Sequence, residues 1–199
     1  SGAADVRLLL IRHGQTPYNA ERRMQGHIDT PLTELGRRQA AAIGALLRTL
    51  IPDPAGWRIV SSPLSRARQT AQAVSDALGL PVETDPRLME ITVGAWEGRL
   101  LDEVAAEHPE VFAGREWFFH GPGGETFEQM ADRLGSWLAE LPPEPERRVI
   151  AVSHGVAGRI LRGLYAGLNR HDTMWQDVPQ DAVYRLAGGG LERIDCEAV

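Results

Sequence analysis

The sequence predicts an α/β fold: a three-layer α/β/α sandwich with a mostly parallel central sheet and a helical cap insertion. Three observations predict it. Short apolar runs of strand length alternate with long helical patterns, as βαβ units do. The helical patterns stop at glycine or proline. One stretch, residues 94–147, carries two helical patterns and no clear strand, so it reads as an insertion or cap over one edge of the sheet. With no linker and no internal repeat, residues 1–199 read as a single domain.

The elements follow in order. Val6 to Ile11 (VRLLLI) is too short for a helix and reads as a buried central strand. Residues 17–31 are polar and rich in turn formers. Thr33 opens a helical pattern to Leu50, with Leu35, Ala42, Ile43, Leu46 and Leu50 on one stripe and Pro52 as the stop. Arg58 to Ser61 is a second strand. Ser62 is placed to cap a helix with Pro63 at its first position, running to Leu78 and ended by Gly79. Pro81 to Thr84 is a third short strand. Helical patterns cover Arg99 to Glu107 and Glu125 to Leu141. Arg148 to Ser153 is a fourth buried strand, followed by a helix from Val156 to Leu168. Ala182 to Leu186 and Leu191 to Ile194, joined through three glycines, form a terminal hairpin.

Composition excludes several classes. Hydrophobic residues make up 43% and charged residues 24%, an ordinary soluble profile. No apolar run approaches the ~18 residues of a membrane span, and no signal peptide is visible, so neither a membrane partner nor secretion is expected. Cys196 is the one cysteine, which rules out an intrachain disulfide and a dithiol metal or redox site. A reducing cytoplasm is the simplest setting. The net charge of −6 argues against a nucleic-acid partner. All 21 basic residues are arginine, so cationic binding must use guanidinium or imidazole, and no lysine Schiff base is available.

The chemistry concentrates at strand ends. Arg12-His13-Gly14 follows the first buried strand, and Ser153-His154-Gly155 follows the fourth. Ligands of open α/β sheets gather outside the carboxyl ends of strands, so the two His-Gly steps can share one crevice. Glycine after each histidine lets the backbone turn sharply beside a ligand. Arg66 lies in the first turn of the helix after the second strand, whose N–H groups also favour an anion. Two guanidinium groups and two imidazoles describe a pocket for a phosphate or similar dianion.

Those residues carry a resemblance. The run Leu10-Ile11-Arg12-His13-Gly14-Gln15-Thr16-Pro17-Tyr18-Asn19 resembles the signature of the histidine phosphatase superfamily, in its phosphoglycerate mutase-like branch. The likeness continues through Met24-Gln25-Gly26-His27 to Gly36, returns at Ser61-Ser62-Pro63-Leu64-Ser65-Arg66, then at Leu88-Met89-Glu90 to Gly98, and ends at Ser153-His154-Gly155. Five motifs in the family's order span residues 10–155. The resemblance implies that His13 is the phosphorylated nucleophile and that Arg12, Arg66 and His154 clamp the phosphoryl oxygens. It further implies that Asn19 adds a hydrogen bond, that Gln25 and Gly26 line the mouth, and that the Gly155 N–H reaches the phosphate. Glu90 is implied as proton donor and acceptor; its alternative is a structural carboxylate paired with an arginine.

The remaining polar residues divide less sharply. Arg22, Arg23, Arg37 and Arg38 are expected to be solvated or salt-bridged. His27 suits a surface position and a substrate contact equally. His108 and His171 are expected to be exposed, and His120 borders the glycine-rich run Gly121 to Thr126. Trp117, Phe118 and Phe119 suit either an apolar wall or the core of the cap. No grouping has metal-ligand spacing, so neither a metal nor another cofactor is expected.

The expected activity is hydrolysis of a small phosphomonoester by a monomer or homodimer. Two alternatives stand beside it. Mutases of the branch carry extra basic residues in a longer insertion between the glutamate and the second histidine. Here 64 positions separate Glu90 from His154, and the arginines between them are scattered. A non-catalytic phosphate binder would lack the nucleophile or the acid, and both are present.

Overall fold

Leu8, Leu9, Leu10 and Ile11 are all buried because their strand is covered on both faces. The computed structural model describes residues 8–199. Strand β1 spans Leu8–Arg12, so the expected start at Val6 lies outside the described residues. Along β1 the side chains alternate: Leu8 and Leu10 enter one core, Leu9 and Ile11 the other.

The chain then makes a short helix, α1 (Pro17–Glu21), and a long one, α2 (Glu34–Leu50). Thr16 and Asn19 form a reciprocal capping box that starts α1 inside the polar stretch, an element the turn-forming composition hides. Thr33 caps α2 as expected, accepting from the Gly36 N–H. β2 is Arg58–Ser61 and α3 is Ser65–Leu78, ended by Gly79 in the left-handed conformation. β3 is Val82–Thr84. α4 (Leu101–Glu107) and α5 (Phe127–Ala139) lie between β3 and β4 (Val149–Ser153). α6 (Gly155–Ala166) and α7 (Arg170–Met174) lead to β5 (Ala182–Ala187) and β6 (Gly190–Asp195).

The strand order is β3-β2-β4-β1-β5-β6. The first four strands run parallel, and the hairpin adds β5 and β6 antiparallel at one edge. The sheet is therefore mostly parallel, with helices on both faces. On one face Ile43 and Leu47 of α2 and Ala67, Ala71 and Val74 of α3 pack on Leu9, Ile11, Ile59 and Ile150. On the other, Met130, Leu134 and Trp137 of α5 and Ala157 and Ile160 of α6 pack on Leu10, Val60 and Ala151.

Several expected starts shift: the helix expected from Glu125 begins at Phe127, after Thr126 as its cap, and two more have local causes. The helix expected from Ser62 begins at Ser65, because Pro63 and Leu64 precede it and Leu64 is extended, with ψ 141°. The helix expected from Arg99 begins at Leu101. Residues 98–101 are used instead as a partner for 22–24: Gly98 N–H donates to Met24 O at 2.7 Å, Met24 N–H to Arg99 O at 2.9 Å, and Leu101 N–H to Arg22 O at 2.9 Å. No helix among the described residues is long and apolar enough to cross a membrane.

Candidate active site

The parallel register sets the site. Arg12 of β1 pairs with Ser153 of β4, and Ser61 of β2 pairs with Val152. His13, Ser62 and His154 are thus the first residues past three neighbouring strands. The His13 and His154 rings meet edge-on with centroids 5.1 Å apart, and both are buried. Gly14 permits this turn: a Cβ there would lie 2.3 Å from the carbonyl oxygen of Gly36, so the loop carrying His13 rests directly on the backbone of α2.

Each ring is held by one nitrogen. His13 Nδ1 is 2.7 Å from the Gly14 carbonyl oxygen. His154 Nε2 is 2.8 Å from Ser62 Oγ, which also accepts from the Leu64 N–H at 3.3 Å. Ser62, read as a helix cap, therefore orients the second histidine. Burial, then the charges of Arg12 and Arg66, push the His13 ring well below the ordinary imidazole value. Burial does the same to His154, helped by Arg66, His13 and Arg12. Both rings are neutral at pH 7.

The arginines are built in from behind. Arg12 donates from Nη1 to Val178 O at 2.6 Å. Arg66 is 1% exposed and donates to Gly26 O at 2.6 Å and Ile28 O at 3.0 Å. Burial lowers the Arg66 guanidinium to about 10, with Glu90 and Asp29 acting the other way. Three buried atoms find no hydrogen-bond partner among the described residues: Arg12 Nε, Arg66 Nε and His154 Nδ1. Orphaned polar atoms are costly in a core, so three in one cluster mark a place built for a polar ligand.

Glu90 faces them across a cavity of about 570 Å³, whose wall includes Arg12, His13, Asn19, Gln25, Gly26, Arg66 and Glu90. Its carboxylate sits on the start of α6: Oε2 accepts from Val156 N–H and Oε1 from Ala157 N–H, both at 3.0 Å. Asn19 Oδ1 already accepts from Thr16 N–H and Gln180 Nε2, so its Nδ2 amide is what remains to offer a ligand. The Gln25 carboxamide is tied to Thr16 at 2.9 Å and Thr30 at 2.5 Å. Gly155 opens α6 behind Arg12, whose Nε would lie 3.4 Å from a Cβ at that position.

Other residues fall less simply. Arg22 and Arg23 pair with Asp102 and Glu21 as expected, yet both also stand on the cavity wall. Arg38 pairs with Glu34, and Arg37 donates to Leu32 O. Trp117 and Phe118 stack at 3.7 Å and line the cavity, whereas Phe119 turns to Phe127. His171 and His120 are exposed, but His108, at the end of α4, is half-buried because its ring lies 5.5 Å from that of Trp96. His27 reaches neither solvent alone nor the cavity wall; its Nε2 is 2.7 Å from the Glu90 carbonyl oxygen. Sequence reasoning missed Arg133, which donates to the Glu90 carbonyl at 3.1 Å, and Glu125, which grips Arg133. No group of three or more His, Cys, Asp or Glu among the described residues could hold a metal ion.

Residues 8–190 match the family model of the histidine phosphatase superfamily (branch 1). The chain belongs to that superfamily. It is an enzyme of the phosphatase kind, on a fold shared with the solved members. A probable phosphoglycerate mutase GpmB of Yersinia pestis is 37% identical over 199 residues, covering 96% of this chain and 85% of that one. The mycobacterial glucosyl-3-phosphoglycerate phosphatase, solved in complex with VO3, is 32% identical with a TM-score of 0.80 over 98% of both chains. A putative alpha-ribazole-5'-P phosphatase from Escherichia coli is 27% identical with a TM-score of 0.75, covering 97% of this histidine phosphatase and 96% of its own length.

Proposed function

We propose that this histidine phosphatase hydrolyses a small phosphomonoester through a covalent phosphohistidine on His13. The observation that carries the reading is the bond from His13 to Gly14 O. A carbonyl only accepts, so Nδ1 holds the hydrogen and Nε2 keeps a lone pair. Burial and two guanidinium groups keep the ring neutral and able to attack.

In the first step Nε2 attacks phosphorus, a P–N bond forms and the ester P–O bond breaks. The Glu90 carboxylic acid gives its proton to the departing oxygen. In the second, water attacks phosphorus, the P–N bond breaks, and the Glu90 carboxylate takes the water proton. Phosphate leaves with His13 neutral and Glu90 protonated again. The orphaned Nε atoms of Arg12 and Arg66 supply donors to the equatorial oxygens, where transition-state charge gathers. With the Ser62 hydroxyl hydrogen turned to His154 Nε2, His154 Nδ1, the orphaned nitrogen, carries the hydrogen and serves as a third donor. Asn19 adds its Nδ2 amide, the Gly155 N–H faces the same anion from the start of α6, and Gln25 and Gly26 shape the mouth. Residues 94–147 serve as a cap, through which Trp117 and Phe118 reach the leaving-group side. The single thiol suits the reducing cytoplasm.

Phosphatase activity is favoured over mutase activity by the compact span between Glu90 and His154. The similarity to proteins named as probable phosphoglycerate mutases supports the second reading. Turnover of p-nitrophenyl phosphate, with acid-labile phosphate trapped on His13, is the expected result. His13→Ala should lower turnover by about three orders of magnitude or more. Full activity in that variant would remove His13 from its role. Isomerised phosphoglycerate that depends on 2,3-bisphosphoglycerate would favour the mutase instead.

A further inference from the structure

Arg133 of α5 lies outside the cavity wall, yet its guanidinium has no idle donor. Nε donates to Glu125 Oε2 at 2.9 Å. Nη1 donates to the carbonyls of Arg87 at 2.7 Å and Met89 at 2.8 Å. Nη2 donates to Glu90 O at 3.1 Å and Glu125 Oε1 at 3.1 Å, and also lies 2.8 Å from Met130 Sδ. Five N–H groups thus meet five oxygens. Three of those oxygens are the backbone carbonyls that deliver Glu90 to the site.

Glu125 completes the clasp. Its Oε1 accepts from Thr92 N–H at 3.0 Å, and its own N–H donates to Thr92 O at 2.9 Å. Both partners of the ion pair are 19% exposed on their side chains, so solvent screens the pair only partly. This side-chain pair therefore holds the backbone on both sides of Glu90, alongside His27 Nε2 at 2.7 Å from the Glu90 carbonyl and Ser153 Oγ, which donates to Leu88 O at 2.8 Å. On its other end the Glu90 carboxylate is fixed by Val156 and Ala157. A point charge could replace the ion pair, but only a planar fork can span Arg87, Met89, Glu90 and Glu125 together.

We propose that Arg133, braced by Glu125, is a positioning residue that sets the Glu90 carboxyl at the distance needed for proton transfer to the leaving oxygen. The proposal rests on the acid–base role given to Glu90 above. A small displacement of a general acid costs proton transfer and leaves substrate binding largely intact. Its loss is felt most where the leaving oxygen is a poor leaving group.

The test compares two ring-bearing substrates, p-nitrophenyl phosphate and 2-phenylethyl phosphate. The first releases a stabilised phenolate, and the second releases an alkoxide that needs the proton. Arg133→Lys should lower kcat on 2-phenylethyl phosphate about a hundredfold and on p-nitrophenyl phosphate less than about fivefold, with KM within about threefold. Glu90→Gln should show the same bias. Adding Arg133→Lys to Glu90→Gln should cost less than about twofold more, because the two act on one step. Glu125→Gln, which keeps shape and removes the gripping charge, should give the bias in weaker form, and it carries the test if the lysine variant does not fold. Equal losses on both substrates in the Arg133 and Glu125 variants, beside a biased Glu90→Gln, would overturn the positioning role and leave the phosphatase reading standing. An unbiased Glu90→Gln would overturn the acid role and the positioning role together, while labelling of His13 would still report on the nucleophile.

Discussion

Arg12 donates to the carbonyl of Val178 at 2.6 Å, across 166 residues of chain. That carbonyl belongs to the loop 175–181, which also sends Gln180 to Asn19 at 3.1 Å. Two arginines one turn apart on α6 hold this loop. Arg159 donates to Gln176 O at 2.9 Å, and Arg162 donates to Asp177 O at 2.6 Å. Arg162 →Met should therefore weaken phosphate binding without touching phosphate. The expected loss is about 2 kcal/mol of stability, ~4–8 °C in Tm for a chain of this length, with a several-fold rise in the inhibition constant of inorganic phosphate. Thermal unfolding with and without phosphate checks both, and an unchanged inhibition constant would detach the loop from the site.

His13 and His154 make stability depend on pH in a predictable direction. Both are held well below the ordinary imidazole value by burial first and by nearby arginines second. As pH falls below about 6.5 the unfolded chain gains protons that the folded chain does not. Stability therefore falls with decreasing pH, by up to about 1.4 kcal/mol per pH unit for each histidine, until the folded values are reached. Urea unfolding at pH 7, 6 and 5 measures the slope. His154→Asn should flatten it, and an equally steep slope in that variant would assign the effect elsewhere.

How the site was legible follows from what each contact uses. His13 and His154 show in the sequence because strand ends in a parallel sheet are marked by the switch from apolar run to polar residue. Ser62 was misread because Ser-Pro before a helical pattern looks like a cap, and nothing local says that its hydroxyl meets a histidine 92 positions away. Thr16 and Asn19 carry the capping spacing inside a stretch whose composition reads as turn. Arg133 and Glu125 were hidden for a deeper reason: their partners are mostly backbone groups of residues 87–92, and a carbonyl has no letter in the sequence. The helical patterns of 94–147 were visible, but the start of α4 depended on backbone bonds to 22–24 that only the folded chain supplies.

Trp117 and Phe118 should set which leaving groups enter. They stack on the cavity wall, where Ile91, Val93 and Leu101 extend the apolar surface. Trp117→Ala should raise KM for 1-naphthyl phosphate about tenfold, the worth of an apolar contact of ~1.4 kcal/mol. It should leave KM for glycerol 3-phosphate within about twofold. Equal effects on the two substrates would mean that the stack supports its own segment of chain without touching the leaving group.

Two helical glycines should respond to the same substitution with opposite signs. In an ordinary helix interior, glycine to alanine gains about 0.5–1 kcal/mol, because alanine loses less backbone freedom on folding. Gly135 of α5 is such a place: a Cβ there meets only Leu164 Cδ1, at 3.8 Å. Gly135→Ala should raise Tm by about 1–4 °C. Gly36 of α2 is not. Its Cβ would fall 2.1 Å from the carbonyl oxygen of Gln15, which is backbone and cannot swing away. Gly36→Ala must push α2 off the loop that carries His13, at a cost of about 2–4 kcal/mol. Because that loop also sets the Gly14 carbonyl that fixes the His13 tautomer, kcat should fall with stability. Paired melting curves and p-nitrophenyl phosphate assays decide it. A stabilised or fully active Gly36→Ala would show that the contact between α2 and the His13 loop yields, and that the imidazole is held by Gly14 alone.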